Sequence, residues 1–182
     1  MPGNRRSIRL NDYDYTEQGV YYVTICVEGR KCVFGDVWCG EIILNGMGRI
    51  VARNWNELPE HFPNIKIDEF IVMPNHTHGI INIVGAGFPR PDDNGYGNDG
   101  KGRGDHDKGR GNRAPTLGQI VAYFKYGTTK QINAIRQTPG IRLWQRNYYE
   151  HIVRNEPDLA RIREYIVNNP VQWEEDEYFS PN

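Results

Sequence analysis

The sequence predicts an α+β protein, an antiparallel sheet with helices on one face. Three observations carry that expectation. Runs rich in Tyr, Val and Ile occupy 20–27, 67–73 and 76–84; apolar residues at helical spacing fill 45–60, 116–135 and 157–169; and the two kinds of segment alternate along the chain.

Taken in order, Val20 to Val27 is the first strand, and Val37-Trp38 with Glu41 to Leu44, parted by Cys39-Gly40, suggests a hairpin. From Asn45 to about Glu60, Met47, Ile50, Val51, Trp55 and Leu58 recur at helical intervals, and Pro59 and Pro63 close the helix. Ile67 to Met73 is the next strand, followed after Pro74-Asn75 by His76 to Val84. Thr116 to about Ile135 is a long helix and Arg142 to Val153 an irregular strand or bend. The last helix, Pro157 to Asn169, has Asn155 as its N-cap, Pro157 and Asp158 in its first turn, Leu159, Ile162 and Ile166 at helical spacing, and Pro170 as its stop. Strand, helix, strand, strand, helix and strand is a ferredoxin-like order.

A length of 182 residues, 38% hydrophobic and 25% charged, suits one domain over 1–182. Gly85 to Ala114 interrupts it with 9 of the 20 glycines and almost no apolar side chain, too little to offset its ordering entropy, so it reads as a flexible insertion. Its Lys101, Arg103, Lys108, Arg110 and Arg113 either clamp a polyanion or do nothing specific. Asp105-His106-Asp107 resembles a metal cluster but sits in that flexible context. The chain has no apolar run of about 18 residues and no apolar core behind Met1-Pro2-Gly3-Asn4-Arg5-Arg6, which implies a cytoplasmic protein. Cys26, Cys32 and Cys39 lack paired spacing and read as reduced thiols.

A net charge of −1 by itself argues against a nucleic-acid partner. Its distribution does not. From Lys101 to Arg154 eleven Lys and Arg face only Asp105, Asp107 and Glu150, a local +8, whereas acid collects at Glu174-Glu175-Asp176-Glu177.

The chemistry-bearing residues fall in three places. His76 and His78 are two apart at the mouth of a strand, so both imidazoles project from one face while Thr77 faces away; that is half of a metal site, or a hydrogen-bonded pair in a core. Tyr165 and Asn169 lie one turn apart on the last helix, presenting a phenol and an amide together, or a half-buried tyrosine and a C-terminal cap. In the block from Trp144 to Glu156, Trp144 and one of Tyr148 or Tyr149 could stack on unpaired bases while Gln145, Arg146, His151 and Arg154 meet backbone or base edges; core packing serves Trp144 equally. Lys125 and Lys130, with Tyr123 and Tyr126, could border the same groove.

The Met73-Pro74-Asn75-His76-Thr77-His78 strand, the Trp144-Gln145-Arg146-Asn147-Tyr148-Tyr149-Glu150-His151 block and the Tyr165-Ile166-Val167-Asn168-Asn169-Pro170-Val171 helix end come in order over roughly residues 70 to 171. In this the chain resembles the single-tyrosine HUH transposases, and most of all the REP-associated tyrosine transposases. Thr77 departs from the hydrophobic residue usual between the histidines, on the side away from the metal. The resemblance implies an HUH endonuclease core. It also implies a metal-dependent transposase or endonuclease that cleaves and rejoins single-stranded or hairpin DNA through a 5′-phosphotyrosine. Tyr165 would be the nucleophile, Tyr148 and Tyr149 its rivals, and His76, His78 and Asn169 the ligands of Mg²⁺ or Mn²⁺. Lys125, Lys130, Trp144, Gln145, Arg146, His151 and Arg154 would contact DNA, with inverted repeats as the partner. A noncatalytic hairpin-DNA-binding regulator and a metal-dependent hydrolase using water are the alternatives, and monomer and homodimer both remain open.

Overall fold

The computed structural model describes residues 18–84 and 115–179. The insertion expected at Gly85 to Ala114, with its five basic residues and Asp105-His106-Asp107, lies outside the described residues, as does the Met1 to Arg6 start.

Strand β1 (Gly19–Cys26) leads to a hairpin of β2 (Gly35–Trp38) and β3 (Glu41–Leu44). Cys39 and Gly40 both take positive φ at its turn (51° and 77°), the conformation a two-residue reversal needs and glycine tolerates. Helix α1 (Gly46–Asn56) starts as the sequence requires, with Asn45 Oδ1 accepting from the Met47 and Gly48 amides at 2.9 and 3.1 Å. The single helix expected to run to about Glu60 breaks: Pro59 has no N–H to donate four residues back, so the chain restarts as a short α2 (Leu58–His61). Strands β4 (Ile65–Val72) and β5 (His76–Ile83) follow. Helix α3 (Leu117–Arg136) opens on a capping box in which Thr116 and Gln119 exchange backbone and side-chain bonds. The irregular stretch then makes one bridge, Val27 to Trp144, before β6 (Tyr149–Val153), and α4 (Glu156–Asn168) closes the order with Asn155 accepting from the Asp158 amide at 2.9 Å.

The main sheet has the order β4-β5-β1-β6, antiparallel throughout, which is the ferredoxin-like arrangement of an α+β protein. Helices α1 and α3 pack on one face as expected. The expectation of helices on one face only holds for those core helices; α4 covers the opposite face. Strand alternation is the reason. Tyr21, Val23 and Ile25 of β1 join Ile81 and Ile83 of β5, Trp55 of α1 and Phe124 of α3 in one cluster, whereas Tyr22 and Ile80 point the other way and are dried by Leu159, Ile162 and Ile166 of α4. Polar contacts fasten α4 to both sheet edges: Arg163 Nε to Asp68 of β4 at 3.0 Å, and His151 Nε2 of β6 to Asp158 at 2.7 Å.

Gly79 sits between His78 and Ile80 with its hydrogen side toward Trp55 and Phe70, whose rings stack at 4.4 Å; a Cβ there would collide with both. The strand carrying the histidines is thereby pressed flat against the core. Among the described residues no helix is long and apolar enough to cross a membrane.

Candidate active site

The turn Pro74-Asn75 between β4 and β5 is held by its backbone: the Val27 amide donates to Asn75 O at 2.8 Å, and the Val33 and Phe34 amides to Pro74 O at 2.8 and 3.1 Å. Out of that anchored turn His76 and His78 project on the α4 face, both fully buried, with their Nε2 atoms 2.8 Å apart. Their Nδ1 atoms have separate partners. Asn75 Oδ1 lies 2.7 Å from His76 Nδ1, while the Tyr22 hydroxyl (2.7 Å) and Thr24 Oγ1 (2.9 Å) meet His78 Nδ1. Burial lowers both imidazoles, His76 to about 4 with Asp176 opposing the shift and Arg30 adding to it, and His78 well below its ordinary value with His76 adding to it. Neutral rings are the form that ligates metals.

Helix α4 brings its phenol to the same place. The Tyr165 ring lies 5.2 Å from that of His78, and its hydroxyl donates to Asp176 Oδ2 at 3.2 Å. Burial first, then the Asp176 charge, raises the phenol well above its ordinary value, so the hydroxyl stays protonated. One turn on, Asn169 donates through Nδ2 to the same Asp176 oxygen at 2.7 Å, which leaves Asn169 Oδ1 buried without a partner.

Beyond α4 the chain doubles back over the histidines. The Trp173 and Tyr178 rings lie 5.9 and 4.8 Å from His76, and Asp176 Oδ1 accepts from the Tyr178 amide at 2.6 Å. Candidate ligand atoms of His76, His78 and Asp176 all fall within 4.8 Å of one another. Two neutral imidazole nitrogens, a carboxylate and an orphaned amide oxygen fit a divalent cation, so the group could hold one. Asp176 and Tyr178 escaped the sequence reading, where Asp176 was one of four acids counted as charge; no local spacing links it to His76.

The expected DNA-contacting residues divide. Lys125, Gln145 and Arg146, joined by Tyr126, Thr129 and Arg142, line an open cleft of about 460 Å³. Lys125 Nζ donates to the carbonyls of Gln145 and Arg146 at 2.6 and 3.0 Å, and burial, with Arg142 nearby, lowers its pKa. Exposed Lys130 lines a separate cleft with Tyr123 and His61. Trp144 goes to the core: 2% exposed, it donates Nε1 to Thr128 Oγ1 at 2.8 Å and packs on Phe34 and Phe124, so no base can stack on it. His151 is spent on Asp158, and Arg154 is exposed at the far end of β6. Tyr148 packs against the core, whereas Tyr149 is 44% exposed and meets Tyr22 edge-on at 6.1 Å, beside the site.

The chain is 39% identical over 176 residues to an uncharacterised protein of Haemophilus influenzae, covering 97% of this chain and 93% of that protein. It is 24% identical over 167 residues to a second H. influenzae protein, named as a REP-associated tyrosine transposase, covering 87% of this chain and 74% of the other. Its fold matches a solved REP-associated tyrosine transposase bound to a REP hairpin, with a TM-score of 0.54, 18% identity, and coverage of 94% of this chain and 74% of that one. No family model matches the chain.

Proposed function

We propose that this chain acts as a REP-associated tyrosine transposase, cleaving and rejoining single-stranded or hairpin DNA through a phosphotyrosine at Tyr165, a reading supported by the likeness to the second H. influenzae protein and by the shared fold. The observation that carries the reading is the Tyr165 hydroxyl, bonded to Asp176 in the same group as His76 and His78. His76, His78, Asp176 and Asn169 Oδ1 would hold the divalent ion, Mg²⁺ or Mn²⁺. When bound, that ion supplies a Lewis acid for a phosphate oxygen.

The chain's own residues account for the rest. Tyr165 Oη forms a bond to phosphorus, the bond from phosphorus to the 3′ oxygen breaks, and the phenolic proton passes to Asp176 Oδ2, the acceptor already facing it, and from there to the departing 3′ oxygen. The products are a 5′-phosphotyrosine and a 3′-hydroxyl. Attack by a 3′-hydroxyl reverses the step, so rejoining needs no nucleotide. The cleft at Lys125, Arg142 and Arg146 offers cations for phosphates, and Tyr149 offers the ring face at the site's edge that Trp144 does not.

Incubating the protein with a labelled hairpin oligonucleotide and Mn²⁺, then resolving it under denaturing conditions, tests this. Wild type should give a covalent adduct that excess chelator suppresses reversibly, and Tyr165→Phe should give none while Tyr178→Phe retains it. An adduct on the Tyr165→Phe protein through Tyr148, Tyr149 or Tyr178 would overturn the assignment. A hairpin with a single-stranded flank should also be bound and cleaved in preference to a paired duplex of the same sequence, since stacking adds about 1–3 kcal/mol per base and pairing hides the faces it needs. Equal affinity and cleavage at several salt concentrations would remove Tyr149 from the interface.

One observation favours a second reading. Both histidines are fully buried beneath Trp173 to Phe179, so a phosphate reaches them only if that segment shifts. Hairpin binding by the wild type with no adduct in Mn²⁺ would select a noncatalytic DNA-binding regulator.

A further inference from the structure

The hydrogen bonds around the two histidines determine which nitrogen of each carries the proton. Asn75 Nδ2 donates to two backbone carbonyls, Tyr178 O at 2.8 Å and Arg30 O at 3.2 Å, which orients the amide and leaves Oδ1 as the atom facing His76. An amide oxygen only accepts, so His76 carries its proton on Nδ1 and its Nε2 is a bare lone pair. Across the 2.8 Å to His78 Nε2 a proton must lie between the two nitrogens, and only His78 can supply it. His78 is therefore protonated on Nε2, with Nδ1 accepting from Tyr22 or Thr24.

This arrangement presents one lone pair to a shared ion, not two. For His78 to present a second, its ring proton must leave Nε2 and a proton must arrive on Nδ1, with no change in net charge. A proton on Nδ1 then needs an acceptor. The Tyr22 and Thr24 hydroxyls, 3.0 Å apart and both within reach of Nδ1, serve either state, because a hydroxyl both donates and accepts. A carboxylate in their place would fix Nδ1–H permanently; an amide nitrogen would forbid it.

We infer that Tyr22 and Thr24 are positioning residues that let His78, and not His76, exchange its ring tautomer when the histidine pair takes up a divalent cation. Asn75 holds His76 ready for the ion in both states. The inference rests on the reading that this pair binds such an ion.

Nitrogen-15 NMR of histidine-labelled full-length protein, without metal and with Zn²⁺ as a diamagnetic probe, reads the tautomers directly. Without metal, His76 should be the Nδ1–H form and His78 the Nε2–H form; Zn²⁺ should convert His78 to Nδ1–H and leave His76 as it was. In parallel, Mn²⁺ affinity followed by electron paramagnetic resonance should fall about 10–100-fold in a Tyr22→Phe/Thr24→Val double variant and less in either single variant. Circular dichroism of the metal-free variants establishes that they are folded. Zn²⁺ binding without a change at His78, or unchanged Mn²⁺ affinity in the folded double variant, overturns the inference and leaves the ion reading intact. Absence of binding by both metals to the wild type overturns the ion reading and the inference with it.

Discussion

On one face of the sheet β1 sends Tyr21, Val23 and Ile25 into a layer with Trp55, Phe124, Ile81 and Ile83; on the other, the intervening Tyr22 and Thr24 meet His78 through hydroxyls. The two sets alternate along one strand. The first face is held by shape and by exclusion of water; the second adds to a smaller apolar cluster of Ile80, Leu159, Ile162 and Ile166 a set of directed bonds among Asn75, His76, His78, Tyr165, Asn169 and Asp176. Burying so many polar groups costs free energy even when each is bonded, and the apolar face offsets that cost. The larger apolar layer and the polar group thus lie on opposite sides of the sheet, and substitutions in the two should fail in different ways.

The largest stability effect should come from Trp55→Ala, which removes a fully buried ring stacked on Phe70 and edge-on to Phe124. Urea denaturation should show a loss of about 3–5 kcal/mol. Tyr165→Phe, which on the proposed reading would abolish the adduct, should cost only about 1 kcal/mol, for one hydrogen bond. If it destabilised as much as Trp55→Ala, the division between the faces would not hold.

Gly79→Ala sharpens the comparison, because it lies between His78 and Ile80 yet its new methyl group would press on Trp55 and Phe70. Overpacking should cost about 1–3 kcal/mol in the same assay. Mn²⁺ affinity should fall only to the extent that β5 is displaced, so an unchanged midpoint with lost affinity would contradict the assignment of this position to the apolar face.

The smallest effect concerns the fastening of α4. Arg163, bonded to Asp68, holds that carboxyl below its ordinary value despite the opposing effect of burial. A group lowered in the folded state stabilises above its unfolded pKa and loses that contribution as pH falls through its folded one. Asp68→Asn should therefore lower stability by about 0.5–1 kcal/mol at neutral pH, a value tempered by the pair's partial exposure. The difference from wild type should shrink toward zero as acid protonates Asp68. A difference constant with pH would mean that packing, not charge, ties α4 to β4.

Much of this was legible in the chain. Asn155 caps the helix it precedes, the helices expected from Asn45 and Thr116 begin one residue on, the Cys39-Gly40 turn makes its hairpin, and the alternation of His76, Thr77 and His78 puts two imidazoles on one side. Tyr165 and Asn169 share one side of α4 and both reach Asp176, as their one-turn spacing allows. These are relations within an element, and the periods of helix and strand encode them. Trp144 was the opposite case: an aromatic residue beside basic ones suits a base platform and a core equally, and only the positions of Phe34, Phe124 and Thr128 placed it inside.

By itself the sequence determined which residues could act together within each strand and helix, and the order in which those elements came. The tertiary structure alone decided which elements meet. It placed α4 on the face opposite α1 and α3, folded Asp176 and Tyr178 back onto His76 across about a hundred residues of chain, and set Tyr22 and Thr24 of β1 behind His78 of β5. Each of those contacts joins positions far apart in sequence, where no periodicity links them; they follow from strand pairing and from the need to cover both faces of the sheet.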